Sequence, residues 1–193
     1  MFIVGVGNMN SALRLLICLS GAMLAAQLLR QPGQRRIVVV EPRPELGRGE
    51  AYSATEPGHT LNGNAARMSV DPDNPDDLTQ WLTQCIREGG WPESAEQQVP
   101  IAELFPPRGL FGCYARQRLA DAEVMGARSG SRVEHLRSEV DDLHVDNEGV
   151  LIQCADGRRL RAERAVLATG MFTAARTPRL GADGLRQATL DHW

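Results

Sequence analysis

The sequence VVVEPRPELGRGEAY spans residues 38–52 and changes character at its fourth residue, Glu41. The β-branched run that begins at Ile37 is typical of a parallel strand that is buried on both faces. Two prolines and a Gly-Arg-Gly turn follow, so the strand cannot continue past the carboxylate. An acid that ends such a strand can accept both hydroxyls of an adenosine ribose. The stretch therefore predicts the second strand of a nucleotide-binding βαβ unit.

An apolar segment that contains glycines, and then a long helical pattern, precede this strand. FIVGVG, residues 2–7, is typical of a central parallel strand that ends at Gly5 and Gly7. Glycines there let a pyrophosphate approach the backbone, and the amides at the start of the next helix bind it. The order of these features predicts a dinucleotide site with Gly5, Gly7 and Glu41 as ligands. The alternative is a βαβ unit whose Glu41 faces solvent.

The spacing within this unit is longer than expected. The acid normally follows about 20 residues after the glycine motif, whereas Glu41 lies 36 positions after Gly5. We therefore interpret residues 8–18 as an insert. Either one helix runs from residue 8 to residue 30, or the insert folds apart and Ser20 and Gly21 form the phosphate-binding turn.

A helical region and a β-meander are predicted after the Gly-Arg-Gly turn. The helical region covers residues 74–125, with one helix that begins around Asn74 and Pro75 and a second from about Gly109 to Met125. From Ser138 the pattern is that of short strands joined by turns, and RAVLATG at residues 164–170 returns to a buried strand. The predicted fold class is α/β: a Rossmann-like, doubly wound parallel sheet with a β-meander.

Composition argues against several classes of function. The formal net charge is −3, with 21 basic and 24 acidic residues spread along the chain, so no nucleic-acid-binding surface is expected. The 4 cysteines and 4 histidines are scattered, which indicates no metal site and favours a cytoplasmic location. Residues 12–29 carry one charge and reach the lower limit of a membrane anchor or signal segment. We interpret them as a buried helix, and expect no membrane association.

Taken together, these segments resemble a family of FAD/NAD(P)-binding flavoproteins related to the class B flavin monooxygenases. The resemblance lies in IVGVG, LSGAMLAAQLL, VVVEPRPELGRGEAYS, HTLNGNAARMSVDPDNPDDLTQWL, PPRGLFGCYARQRL and AVLATG, and covers nearly the whole chain. It implies that FAD occupies the first site, with Glu41 on the ribose and the Arg48 guanidinium near phosphate or flavin oxygens. The residues that it further places near the cofactor are Asn62, Val140, Thr169 and Gly170.

The resemblance implies an FAD-binding oxidoreductase that uses NAD(P)H as co-substrate, with monooxygenases among its relatives. Residues 1–193 resemble only the FAD-side portion of a two-dinucleotide enzyme, because relatives continue into a segment that carries the nicotinamide site. No residue qualifies as a catalytic acid or base, which fits chemistry performed by a flavin. Two alternatives stay open. One is a NAD-dependent dehydrogenase, which would not need the meander, and the other is a truncated or degenerate chain without a catalytic role.

Overall fold

In the computed structural model of the chain, the described residues are 12–17, 19–91 and 99–168. They form two sheets, three α-helices and two short 3-10 helices at Ala65–Arg67 and Ile101–Glu103. The strands are β1 (Ala12–Ile17), β2 (Arg36–Val40), β3 (Arg132–Leu136), β4 (Val140–Asp146), β5 (Gly149–Cys154), β6 (Arg159–Ala162) and β7 (Ala165–Ala168), and the helices are α1 (Leu19–Arg30), α2 (Asp77–Arg87) and α3 (Arg108–Arg128).

Four strands form a parallel sheet in the order β3-β2-β1-β7. Leu15 of β1 is paired with Val39 of β2, and Val39 is paired in turn with His135 of β3. On its other side, β1 is paired with β7, so the strand order changes direction at β1. The βαβ unit is therefore confirmed as β1-α1-β2. The predicted strand at residues 2–7, with Gly5 and Gly7, lies outside the described residues.

The interpretation of residues 8–18 as an insert is wrong for residues 12–17, because these form the strand β1 inside the sheet. A single helix from residue 8 to residue 30 is also wrong, as is the buried helix over residues 12–29, because α1 begins at Leu19. Measured from the end of β1 at Ile17, Glu41 follows after 24 positions. That spacing is close to the ordinary one, of about 20 residues, and no insert is needed to explain it.

The two faces of the parallel sheet are covered by different layers. Ile37 and Val39 point to one face and pack with α1 and α3 in a buried cluster that includes Ala22, Ala25 and Leu119. On the opposite face Val40 packs against the antiparallel sheet β4-β5-β6, through its buried residues Val150, Ile152, Cys154 and Ala162. Alternate side chains of a strand point to opposite faces, and this explains the division.

The prediction of a mixed α/β fold with a parallel sheet and a meander is confirmed by this layering. Among the described residues, the helices packed on the sheet lie on one face only. A doubly wound sheet needs helices on both faces, so that finer description stays a prediction.

A second core lies outside the sheet, where α2 and the 3-10 helix at Ala65–Arg67 pack against the first half of α3. Its fully buried members include Leu78, Leu82, Phe111 and Tyr114. The helical region predicted for residues 74–125 corresponds to this part. α2 begins at Asp77, two residues later than expected, since the Asp77 amide donates to Asn74 O in a turn at 3.1 Å.

Strands β3 and β6 were not predicted from the sequence. RVEHL in β3 alternates charged and apolar residues over only five positions, and RLRA in β6 has four residues of which two are arginines.

None of the helices in the described part of the chain is both long enough and apolar enough to cross a membrane.

The close contact between α1 and α3 depends on Gly126. A Cβ at this position would lie 2.7 Å from Leu29 Cδ2 and 3.3 Å from Leu29 O. We expect Gly126→Ala to lower the free energy of unfolding by about 1–2 kcal/mol, because overpacking costs about 1–3 kcal/mol and outweighs the gain in helix propensity. Urea denaturation measures the change. Gly58→Ala, where nothing lies within 4 Å of the added carbon, is the control and should be neutral.

Candidate functional site

The carboxyl edge of the parallel sheet brings together the end of β1, the start of α1 and Glu41. Leu15 is paired with Val39, so Glu41 is level with Ile17 two positions further on. α1 begins two positions after β1 ends, which directs the free amides of its first turn to the same edge. Ser20 and Gly21 lie in that first turn, and Gly21 is buried. The arrangement can hold an anionic group at the helix and a hydroxylated one at the acid.

Glu41 is 2% exposed, and both its backbone amide and its carbonyl oxygen are hydrogen-bonded. Its amide donates to Leu136 O at 3.0 Å, and His135 Nε2 donates to its carbonyl oxygen at 2.9 Å. The carboxylate Oε1 accepts from the Arg43 amide at 3.0 Å. Burial raises the pKa of the Glu41 carboxyl, against the opposing effects of the Arg43 amide and charge and of His135. The alternative in which Glu41 faces solvent is therefore wrong for this conformation.

The segment after Glu41 folds back onto α3. We refer to residues 42–54 as the Gly-Arg-Gly segment. Gly47 and Gly49 have φ values of 92° and 58°, which residues other than glycine rarely adopt. A short intrasegment hydrogen bond runs from Ser53 Oγ to Gly49 O. The sharp turn predicted from the glycines therefore exists and is packed rather than open, because both glycines are buried.

Arg48 contacts protein groups on α3. Its Nη2 donates to Gly109 O at 3.0 Å and lies 3.6 Å from Cys113 Sγ, and its Nη1 lies 3.4 Å from a carboxylate oxygen of Glu45. The Nε atom is buried without a partner among the described residues. Whether the guanidinium also meets a cofactor oxygen, as the resemblance implies, stays a prediction.

The segment LNGNAARMS contacts the start of α3. Leu61 N donates to Pro106 O at 2.9 Å, and Asn62 Oδ1 accepts from Arg108 Nη2 at 2.8 Å. Asn62 and its neighbour Thr60 are exposed, so the Asn62 side chain is accessible at this surface. Its predicted place near the flavin ring stays a prediction.

Val140 is the first residue of β4, is half-buried and is paired with Cys154. Its predicted contact with adenine is not tested by this arrangement. Thr169 and Gly170 lie outside the described residues. Within the described part of the chain, no group of three or more histidine, cysteine or acidic side chains could hold a metal ion.

A buried polar network, which was not predicted from the sequence, lies where α2 packs against α3. Tyr114 is fully buried, and its hydroxyl donates to Asp77 Oδ2 at 2.6 Å and accepts from Val70 N at 3.1 Å. Arg118 Nε donates to the same Asp77 oxygen at 2.7 Å. Burial, with the Asp77 hydrogen bond as the second cause, raises the pKa of Tyr114 to about 12. The network ties the turn before α2 to α3.

Comparison with known proteins places most of the chain in one family. The family model described as FAD-NAD(P)-binding matches residues 19–172. None of the curated proteins matches the chain.

Three solved structures are similar to parts of it. The Diels-Alderase PyrE3 in the biosynthetic pathway of pyrroindomycins is 20% identical with a TM-score of 0.38, over 75% of this chain and 29% of that chain. The halogenase PltM is 14% identical with a TM-score of 0.40, and its complex with phloroglucinol and FAD is 13% identical with a TM-score of 0.40. Each PltM comparison covers 80% of this chain and 33% of that chain. The chain thus spans about a third of the length of these proteins.

The Tyr114 network predicts that the free energy of unfolding depends on pH in the alkaline range. We expect Tyr114→Phe to lower the free energy of unfolding by about 1.5–3 kcal/mol at pH 7, because a buried hydrogen bond to a charged group is lost. In the unfolded chain the tyrosine ionises near pH 10, and in the folded chain near 12. The stability that its neutral hydroxyl contributes is therefore present below pH 10 and lost as the pH rises to about 12.

Denaturation curves of both proteins between pH 8 and pH 12 measure this effect. The difference between parent and Tyr114→Phe should shrink as the pH rises. All 21 basic residues are arginines, so no lysine titrates in this range. A difference that stays constant up to pH 12 would contradict the proposed network.

Proposed function

The chain belongs to the FAD-NAD(P)-binding family, and we propose that it binds FAD at the carboxyl edge of its parallel sheet. The observation that carries the proposal is the β1-α1-β2 unit, in which the strand order changes direction at β1 and Glu41 directly follows β2. In open α/β sheets, ligands bind outside the carboxyl ends of the strands at such a point. The meander β4-β5-β6 favours FAD over a lone nicotinamide nucleotide.

We assign the contacts as follows. Glu41 accepts the hydroxyls of the adenosine ribose, and the amides around Ser20 and Gly21 hold the pyrophosphate. Val140 meets the adenine through its backbone, and Arg48 belongs to the segment that runs along the cofactor. Gly5, Gly7, Thr169 and Gly170 complete the proposed set.

Two features of the described residues fit this cofactor. The first turn of α1 has no acidic side chain, so nothing there repels a phosphate. The carboxylate of Glu41 uses Oε1 for the Arg43 amide, and within the described part of the chain no hydrogen bond engages Oε2. Because Glu41 is almost completely buried, side chains around it have to shift when a ribose reaches the acid. The neighbouring Arg43 side chain is 38% exposed and is also paired with Glu50.

Bound FAD would supply electron transfer, and the protein would bind and orient it. We further propose an oxidoreductase that takes its electrons from NAD(P)H, of which a monooxygenase is one form. On this proposal, residues 1–193 act as one FAD-binding domain with a Rossmann-like sheet. The substrate depends on residues that face it, and no group in the described residues identifies one.

Direct titration tests the cofactor. Purified protein is titrated with FAD, NADH and NADPH separately, with flavin fluorescence and calorimetry as readouts. Binding of FAD, followed by bleaching of its absorbance when NADH or NADPH is added without oxygen, supports the oxidoreductase. Tighter binding of NADH than of FAD would indicate a dehydrogenase instead. Binding of none of the three would indicate a non-catalytic chain.

Glu41→Gln separates affinity from stability. We expect FAD affinity to fall about tenfold or more, because a neutral amide oxygen replaces a charged acceptor and such hydrogen bonds contribute about 1.5–3 kcal/mol each. Calorimetric titration measures the loss. Glu56→Gln removes an exposed acid of the same loop and should leave FAD affinity unchanged.

The same variant should not weaken the protein without cofactor. Burial raises the folded-state pKa of Glu41 above its ordinary value of 4.5. The stability associated with its protonated form is thus fully present below pH 4.5 and declines as the pH rises through the folded-state pKa. We expect Glu41→Gln to equal or exceed the parent in thermal melts at pH 7. A steep fall in melting temperature with unchanged FAD affinity would show that Glu41 is only a structural cap.

A further inference from the structure

Two glycines of α3 form a seat for the Gly-Arg-Gly segment. A Cβ at Gly109 would lie 2.2 Å from Ala54 O, and a Cβ at Gly112 would lie 2.3 Å from Tyr52 O. Residues three apart are neighbours on one helix face, so the two glycines open the same face of α3. Each costs the helix about 1 kcal/mol relative to alanine. The close approach of the segment gives a physical reason for that cost.

Arg48 lies across this seat and is fitted to it. A Cβ at Gly112 would also come within 2.8 Å of Arg48 Nε, so the guanidinium passes directly over that glycine. Its Nη2 reaches Gly109 O at 3.0 Å and Cys113 Sγ at 3.6 Å. One planar group therefore lies against Gly109, Gly112 and Cys113 of α3, which a lysine ammonium cannot do.

Gly47 and Glu45 of the segment make a second set of contacts with α3, at Arg116. Gly47 packs so closely that a Cβ there would lie 3.3 Å from Arg116 Cα. Glu45 accepts from Arg116 Nη1 at 2.9 Å and also lies 3.4 Å from Arg48 Nη1. The Arg116 side chain is 54% exposed, so this ion pair alone is weak. Arg48, only 25% exposed, is the stronger anchor.

We propose that Arg48 is a positioning residue that holds the Gly-Arg-Gly segment on the glycine seat of α3, in the conformation that binds FAD. This inference rests on the proposed function. The segment starts directly after Glu41, so its path determines how the chain leaves the acid that meets the ribose. A segment ordered before binding does not have to be ordered by the cofactor, and affinity rises accordingly. The guanidinium acts through α3 and not through a contact with FAD.

The test combines amide hydrogen exchange without cofactor and FAD titration. The variants are Arg48→Ala, Arg48→Lys and Gly112→Ala, each beside the parent. In the parent, the amides of Arg43 and Ser53, which donate hydrogen bonds to Glu41 Oε1 and Glu50 O, should exchange slowly. Arg48→Ala and Gly112→Ala should speed exchange there about tenfold or more, leave β2 and the second half of α3 unchanged, and weaken FAD about tenfold. Arg48→Lys should recover part of both effects.

Two control variants show whether the same types of substitution elsewhere in the chain change exchange or FAD affinity. Arg87→Ala removes an exposed arginine at the end of α2, and Gly58→Ala adds a carbon where nothing lies within 4 Å. Both should match the parent in exchange and in FAD affinity. Gly112→Ala raises helix propensity, so loosening of the segment in this variant can only come from the lost seat.

Each contrary result has a distinct meaning. Weaker FAD binding with unchanged exchange in Arg48→Ala would mean that Arg48 contacts the cofactor, and would overturn the proposal. Fast exchange of the segment with unchanged FAD affinity would overturn it as well, as would fast exchange of the Arg43 and Ser53 amides in the parent. If the parent binds no FAD, the proposed function fails, while the exchange rates still decide whether Arg48 holds the segment on α3.

Discussion

The short connection between β1 and α1 is the constraint on which the rest of the structure depends. α1 begins at Leu19, two positions after β1 ends at Ile17. With so little chain between them, the helix must start at the carboxyl edge of the sheet and run back along its face. β2 then returns parallel to β1, and Glu41 reaches the same edge as the helix N-terminus. This arrangement thus brings a positive dipole end and a carboxylate to one place.

Close packing by small residues then makes α3 the support for both parts of the candidate site. Its second half meets α1, whose Ala22, Ala25 and Ala26 are buried with almost no exposure, and Gly126 lets the two helices approach. Its first half carries the glycine seat for the Gly-Arg-Gly segment. A single rigid helix therefore sets the position of α1 relative to the turn that follows Glu41. Changes in α3 should act on the site without touching a ligand.

The sequence predicts what depends on local pattern. β2, the acid after it, the meander and the last strand all follow from β-branched runs and turn residues, and the structure confirms these elements. The expectation that the last strand is buried is wrong for Val166 and Leu167, which are exposed. β1 is misassigned because residues 12–29 form one continuous apolar run, in which periodicity cannot separate a buried strand from a buried helix. The glycines at residues 5–7 place the predicted first strand at residues 2–7, which lie outside the described part of the chain.

The burial of Glu41 and the partners of Arg48 could not be predicted either. Both depend on contacts with residues more than 60 positions away, such as His135 and Gly109.

The electrostatic contrast between Glu41 and the other acids of the sheet gives a further reason to place the ligand there. Glu134 accepts from Arg36 at 2.7 and 2.8 Å, and the guanidinium lowers the pKa of Glu134 to about 2. Its contribution to stability is present above its ordinary pKa of 4.5 and is lost only as the pH falls toward 2. Glu41 has a raised pKa, and its ion pair with the Arg43 guanidinium spans 3.8 Å. A buried acid with so weak a partner costs stability, and such a cost is typical of groups kept for binding. Hydroxyl donors of a ribose would add hydrogen bonds to the one that this carboxylate accepts from the Arg43 amide within the described part of the chain.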